Sequence, residues 1–582
     1  MSYTSEQSIL TLIALLKKFQ ISKVIASPGT MNISFVGSIE NDPFFTVYSA
    51  PDERSAAYMA CGLSKESGEV IVITCTGATA SRNYFPGLTE AFYSKLPILV
   101  VTCTQSFASI GQNIPQVLDR RSEPADVFVK TAQIPAVTTE EDRRYAEWAI
   151  NDVINSVIDD NHGPGLLNMV STCSEDFSVN SLPDVIATRI YKYGMTLPEM
   201  PDGEIGIYVS EHKRWTEELT SSVDKFCECH NAVVFCDRTS NYTGKYGVFA
   251  SLVCSQDSYF SPLRNCRLLI QIGNVFGTDM WIHADEIWRV NPDGKIRNTF
   301  GEPTNVFAMK EEQFFNAYCS DHISSNTEFY DRWSKECDDL QNQITDDMPF
   351  SNAWIAYNSL KRLPADSNLH LGILNSLRCW SFFDFGTNIY GQCNTGGFGI
   401  DGCVSTLMGA SLFDRNKLYF GVVGDLAFFY DMNVLGNHHV GNNIRLLVIN
   451  NGKGTEFRMY NHIGNSFGDD ADRYIAAGGH YGNKSEQLLK NYSENLGYSY
   501  LAAHNKNEFL ENLEEFIAPL TNTSKAIVFE VFTSSEDESL ALKYLRSLKV
   551  DNSYVTKTKI KEFSKSLLGE SGVKMVKKII HR

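Results

Sequence analysis

The 582-residue chain is 43% hydrophobic and carries a formal net charge of −18. That is apolar material for three or four domain cores, and the wrong sign for a phosphate-binding surface of clustered Lys and Arg, which argues against a nucleic-acid partner. Its apolar runs fall short of a bilayer span, which argues against a membrane protein. The opening stretch "SEQSILTLIALLKKF" puts Ile9, Leu12, Ile13, Leu15 and Leu16 on one side of a helix, and Glu6 stands where a signal peptide carries basic residues. It reads as an amphipathic helix that opens a domain. "SKVIASPG", "FFTVYSA", "EVIVITCTGATA" and "LPILVVTC" then read as strands, separated by the helical "DERSAAYMACGLSKESG" and by a helix from about Ser81. Apolar strands alternating with helices predict βαβ units and a parallel sheet covered on both faces.

"TLPEMPDGE" is a Pro-rich linker into weaker alternation, with "NAVVFCD", "RLLIQIG" and "EIWRVNP" as strands. "QIGNVFG" has two glycines after a strand but lacks the full dinucleotide fingerprint. From about residue 350 the strong pattern returns in "LHLGILNS", "KLYFGVVGD", "IRLLVINN" and "KAIVFEVFT". The expected organisation is an α/β protein of three doubly wound parallel-sheet domains, 1–185, 195–345 and 350–545, followed by a Lys-rich, solvated tail over 546–582. Fourteen cysteines are scattered. Cys227, Cys229 and His230 form a tight cluster without the second pair a zinc site needs, so the thiols read as reduced and the protein as cytoplasmic.

The chemistry concentrates in "GDLAFFYDMNVLGNHHVGNNIRLLVINNGKG". Asp425 ends one apolar strand, and Asn451 ends the next, 26 residues later. In a parallel βαβ unit both strand ends lie on one edge of the sheet, so the two side chains converge. Hard oxygens of this kind suit Mg²⁺ with phosphate co-ligands, and backbone amides at the helix start after Asp425 suit the phosphates themselves. An ordinary βαβ unit with an Asn-Gly turn is the alternative.

This spacing resembles the GDG…NN signature of thiamine-diphosphate enzymes. The "GDL" variant is similar to the branch that makes succinyl-enolpyruvyl-hydroxy-cyclohexene-carboxylate in the menaquinone pathway. Further matches follow in the family's order: "SPG" (27–29), "DERSAAYMACGLSKESG", "CTGATASRNYFPGLTEA" (75–91), "FGIDG" (398–402) and "GDLAFFYDMN" (424–433). The resemblance implies a pyrimidine-binding N-terminal domain and a diphosphate-binding C-terminal one. It makes Glu53 the catalytic carboxylate on the cofactor's aminopyrimidine ring, where it promotes the imino tautomer. It implies Mg²⁺ on Asp425, Asn451 and the carbonyl of Lys453. It puts Pro28, Thr76, Asn375, Ser376, Ile400, Gly424, Leu426 and Ala427 at thiamine diphosphate. Ile400 props the cofactor in its bent form or is a plain core residue. Active sites between chains imply a homodimer or homotetramer.

Where the branch uses arginines for its acidic substrates, this chain has Met31 (after Thr30), Gln105, Trp380 and Thr395. An arginine is the natural bidentate partner of a carboxylate, so a different substrate pair is expected. Arg82 and Arg378 either pair a substrate carboxylate or a surface acid. Gln112 and Gln116 follow Gly111 in a loop that the family uses near the reacting carbonyl. His462 and His480 are acid–base candidates or structural residues. Glu456, five residues beyond Asn451, is expected on a helix and either handles a proton of the substrate adduct or is a solvated acid. The implied activity is a transferase or lyase acting on a 2-oxo acid. CO₂ leaves, and the remaining enamine either adds to an unknown acceptor (carboligase) or is protonated (decarboxylase). An inactive cofactor-binding scaffold is the rival from another class.

Overall fold

The computed structural model describes residues 2–159, 163–278, 280–319, 326–386 and 388–551. Most of the basic tail, including Lys557, Lys559, Lys561, Lys565, Lys574, Lys577 and Lys578, lies outside the described residues.

The first six strands are β1 (Lys23–Ala26), β2 (Thr46–Ser49), β3 (Ile71–Thr76), β4 (Ile98–Thr104), β5 (Lys130–Ile134) and β6 (Gly165–Val170), in the sheet order β2-β1-β3-β4-β6-β5. The next seven are β7 (Arg189–Lys192), β8 (Ile205–Val209), β9 (Ala232–Phe235), β10 (Gly247–Val248), β11 (Asn265–Ile272), β12 (His283–Val290) and β13 (Asn305–Ala308), in the order β10-β9-β8-β11-β12-β13-β7. The last six are β14 (Asn368–Leu371), β15 (Tyr390–Cys393), β16 (Tyr419–Gly424), β17 (Ile444–Asn450), β18 (Ser499–Ala503) and β19 (Ile527–Phe532), in the order β15-β14-β16-β17-β19-β18. The pairings are parallel. This is the expected α/β class of three parallel sheets.

Parallel strands are covered on both faces, so their sequences are solid rather than alternating. Every residue of β3, β4 and β17 is buried. The opening helix, Gln7–Lys18, differs from the amphipathic expectation. All of Ser8–Leu16 is buried, because the helix is packed on several sides rather than laid on a surface.

By contact density the chain forms two compact units. One holds the residues up to Leu197 with Ile287–Met309. The other holds Pro198–Glu286 and the described residues from Lys310 on. The boundary falls inside β12, so it does not follow the sheets.

Candidate active site

A cavity of about 220 Å³ opens at the C-terminal ends of β14, β16 and β17, within the second unit. Three loops build its wall. Leu374–Ser376 lies beyond β14, Gly424–Ala427 runs from the last residue of β16 into the following helix, and Asn451–Phe457 follows β17, with Ile400 contributed by the "GIDG" turn. The parallel register explains the convergence: Gly424 lies opposite Ile449, so the residues after the two strands share an edge.

Asp425 is 2% exposed and starts the helix Asp425–Asp431. Burial pushes its carboxyl up to about 7, while N–H groups of Leu426 and Gly452 pull the other way. Its Oδ2 and the Oδ1 of Asn451 are both shielded and have no hydrogen-bond partner, as does Thr455 Oγ1. Buried oxygens are normally satisfied. A carboxylate and an amide oxygen orphaned on one wall are the hard donor set that a divalent cation takes. The two asparagines divide the work. Asn450 turns inward and donates from Nδ2 to Glu530 Oε1 at 2.6 Å, and Tyr500 donates to Glu530 Oε2 at 2.7 Å. That leaves Asn451 at the cavity.

Another part of the lining, Asn352, Asn375 and Ser376, rests on an acid that the sequence reading did not single out. Glu538 is 2% exposed, and burial raises its carboxyl to about 7. It accepts from the Asn352 backbone N–H at 2.9 Å, from Asn375 Nδ2 at 3.2 Å and from Thr533 Oγ1 at 2.9 Å. Asn352 in turn donates from Nδ2 to Ser376 Oγ at 3.1 Å and accepts from Trp380 Nε1 at 3.0 Å. Trp380 is therefore a buried strut of this wall. Leu374 sits at φ +62 and ψ −115, a strained conformation for a branched side chain, at the cavity.

Glu456 lines the cavity from a 3₁₀ turn, Thr455–Arg458, and not from the expected α-helix. The turn ends after one cycle because Met459 leaves helical backbone at φ −63, ψ 141. Glu456 is held by Arg378 in a bidentate pair, with Nη2 to Oε1 at 2.6 Å and Nη1 to Oε2 at 3.0 Å. Of the alternatives for these residues, the structure joins them to each other. Lys453 also lines the cavity, and its ammonium pairs with Asp472 at 2.6 Å.

The remaining candidates in the second unit lie elsewhere. Thr395 is 3% exposed and borders a separate, more open depression with Glu211 and Asp401. His462 accepts the Gly464 N–H through Nδ1 at 2.9 Å and so caps a 3₁₀ turn, while His480 is exposed.

In the first unit Glu53 opens the helix Glu53–Ser67, half-buried, and accepts from Asn83 Nδ2 at 3.1 Å. Pro28 and Thr30 are exposed just after β1. Met31 is buried in the N-terminal core, its N–H directed to Thr76 Oγ1 at 3.4 Å. Arg82 pairs with Glu123 at 3.4 Å, an acid that the buried Arg120 shares. Gln105 is half-buried, Gln112 and Gln116 are exposed, and Gln116 has φ +65.

Comparison with known proteins bears on this geometry. Residues 10–122 match the model of the thiamine pyrophosphate enzyme N-terminal TPP binding domain. The chain is 27% identical over 576 residues to a 2-succinyl-5-enolpyruvyl-6-hydroxy-3-cyclohexene-1-carboxylate synthase of Bacteroides fragilis, covering 94% of this chain and all of that one. It is 28% identical over 575 residues to the synthase of Bacteroides thetaiotaomicron, with the same coverage. A solved thiamine diphosphate-dependent 4-hydroxybenzoylformate decarboxylase of Rhodococcus jostii RHA1 aligns with 91% of this chain and 99% of its own, at 14% identity and a TM-score of 0.37. The family model covers the N-terminal part of the chain, and the synthase relatives match nearly all of it at 27–28% identity. The chain is thus similar to thiamine pyrophosphate-dependent enzymes, and over nearly its whole length to the cyclohexene-carboxylate synthases.

Among the described residues no helix is long and apolar enough to cross a membrane.

Proposed function

We propose that the chain is a thiamine-diphosphate- and Mg²⁺-dependent enzyme that decarboxylates a 2-oxo acid and joins the remainder to an acceptor. The observation that carries the cation is the orphaned pair of buried oxygens, Asp425 Oδ2 and Asn451 Oδ1, on one cavity wall. Asp425, Asn451 and the carbonyl of Lys453 would hold Mg²⁺, and Leu426 and Ala427 at the helix start would lie at the diphosphate. When bound, the cofactor supplies an electron sink for cleaving the bond to the substrate carboxylate. Glu53 holds a proton at the aminopyrimidine ring, and Ile400 supports the ring system. Glu538, through Asn352 and Asn375, keeps the wall around Ser376 in shape. Glu53 and Asp425 of one site come from different chains, so the working unit is a homodimer or a homotetramer. Fourteen free cysteines fit a reducing, cytoplasmic setting.

The synthase relatives favour carboligation over simple decarboxylation. Their own substrate pair is not the one proposed here. Met31 is in the core, Trp380 is bonded to Asn352, Thr395 is buried, and Gln105 is uncharged. None of them offers a cation to a second acidic substrate.

The test measures CO₂ release and product formation with a panel of 2-oxo acids, with and without aldehyde and isochorismate acceptors. The expected result is acceptor-dependent C–C bond formation and no efficient reaction of 2-oxoglutarate with isochorismate. Efficient condensation of that pair would refute the substrate reading. CO₂ release with every acceptor left unconsumed would leave a decarboxylase.

A further inference from the structure

The Arg378–Glu456 pair is unusual in where it sits. Both side chains are less than a fifth exposed, and the guanidinium engages both carboxylate oxygens, at 2.6 and 3.0 Å. Glu456 is part of the cavity wall that also carries Asp425 and Ile400. Arg378 lies on the short helix Asn375–Trp380, whose first two residues line the same cavity. A planar guanidinium fork accepts any carboxylate of suitable approach, and here the occupant is the chain's own.

The other cations of this loop are committed elsewhere. Lys453 and Arg458 both pair with Asp472, at 2.6 and 3.3 Å. The segment that carries Glu456 is built differently from the one that carries Arg378. It is a 3₁₀ turn entered through Gly452 at φ +76, and Phe457 beside it is 37% exposed. Arg378 is instead fixed by a helix whose Trp380 and Asn375 are anchored to Asn352 and Glu538. One partner stands on an anchored helix and the other on a 3₁₀ turn.

We propose that Glu456 is a resident substitute for a substrate carboxylate: the carboxylate of the donor 2-oxo acid displaces Glu456 from Arg378, which then anchors the donor. This rests on the cofactor reading given above and adds the donor's anchor to it. Exchange of one carboxylate for another keeps the guanidinium paired, so the charge balance at the fork is preserved. A neutral ester has no carboxylate to offer the fork and cannot make the exchange. The pair therefore selects for acids. It also lowers apparent affinity, because every donor competes with a tethered carboxylate of high effective concentration.

The experiment compares wild type, Arg378→Met, Arg378→Lys and Glu456→Gln. Each is loaded with thiamine diphosphate and Mg²⁺ and titrated with pyruvate, 2-oxobutyrate, 2-oxoglutarate, phenylglyoxylate and ethyl pyruvate. Donor binding is read by thermal shift and by KM for CO₂ release, and cofactor affinity is read separately by calorimetry. Arg378→Met is expected to raise the KM of the preferred acid about 100-fold with cofactor affinity unchanged. Arg378→Lys recovers part of that loss, since a point charge replaces the fork. Glu456→Gln is expected to tighten acid binding about tenfold by removing the tethered competitor, whatever its effect on kcat, and to leave ethyl pyruvate unchanged. Three results overturn the proposal: Arg378→Met with an unaltered donor KM, Glu456→Gln weakening donor binding as Arg378→Met does, or no response to any acid in wild type and Glu456→Gln alike. Failure of wild type to bind thiamine diphosphate is a separate outcome, and it overturns the cofactor reading as well.

Discussion

The sheet of β1–β6 and the sheet of β14–β19 have the same strand order, β2-β1-β3-β4-β6-β5 against β15-β14-β16-β17-β19-β18. Their registers also correspond, with Thr76 opposite Cys103 in one and Gly424 opposite Ile449 in the other. The two residues that follow the central strands can therefore be compared directly. In the C-terminal sheet they are Asp425 and Asn451, and in the N-terminal sheet they are Gly77 and Gln105. A Cβ on Gly77 would meet the Cys103 carbonyl oxygen at 3.0 Å, so no carboxylate fits there without moving β4. One layer deeper, Glu530 on β19 corresponds to Asn168 on β6. Glu530 backs Asn450, whereas Asn168 bonds internally to Thr102 and Gln133 at 3.0 and 2.8 Å. The same topology thus carries a buried carboxylate and an amide oxygen without partners at the edge of one sheet, and a glycine and a half-buried glutamine at the matching positions of the other. The difference lies in three residues and not in the fold.

The largest effect expected from this asymmetry is loss of the cation. EDTA followed by gel filtration should remove thiamine diphosphate and activity together, and Mg²⁺ with cofactor should restore both. Full activity after metal removal would place the diphosphate on something other than Asp425 and Asn451. Next comes the contribution proposed for the N-terminal sheet, which is chemical rather than metal-binding. Glu53→Gln should lower turnover about 10²–10⁴-fold, as loss of a general acid–base group does, with cofactor affinity kept. Exchange of the cofactor's C2 proton at the wild-type rate, followed by NMR, would remove Glu53 from the mechanism.

A smaller effect sharpens the comparison at the deeper layer. Glu530→Leu should weaken Mg²⁺-dependent cofactor binding about 10–100-fold, because Asn450, the neighbour of the proposed ligand Asn451, loses the acceptor that turns it inward. Asn168→Leu, its counterpart in the other sheet, should leave that binding unchanged, and equal losses in both variants would mean general destabilisation. The smallest effect concerns Glu538. Burial raises its carboxyl from 4.5 to about 7, so the folded protein holds that proton more tightly than the unfolded chain. Its contribution is present below about 4.5 and is lost as pH rises towards 7. The Tm of Glu538→Gln relative to wild type should therefore move in the variant's favour across that window, and a difference independent of pH would contradict the assignment.

The strands that positioned the site were legible because solid apolar runs such as β3, β4, β16, β17 and β19 are what burial on both faces demands. Edge strands gave no such signal: β5 and β7 are largely exposed or half-buried along their length. Asp425 and Asn451 were legible as polar residues closing apolar runs at a fixed spacing. Glu538 and Asn352 were not, because an acid near a helix start looks like an ordinary dipole partner, and its contact with Asn352 spans 186 residues. The Arg378–Glu456 pair spans 78 residues and depends on a 3₁₀ turn where a helix was expected. Periodicity carries no information about either.

The most direct test of the central claim is calorimetric titration of thiamine diphosphate into wild type and Asp425→Ala, each with and without Mg²⁺. The account predicts binding by wild type only when Mg²⁺ is present, and no binding by the variant under either condition. Wild-type affinity in Asp425→Ala without any metal would contradict it.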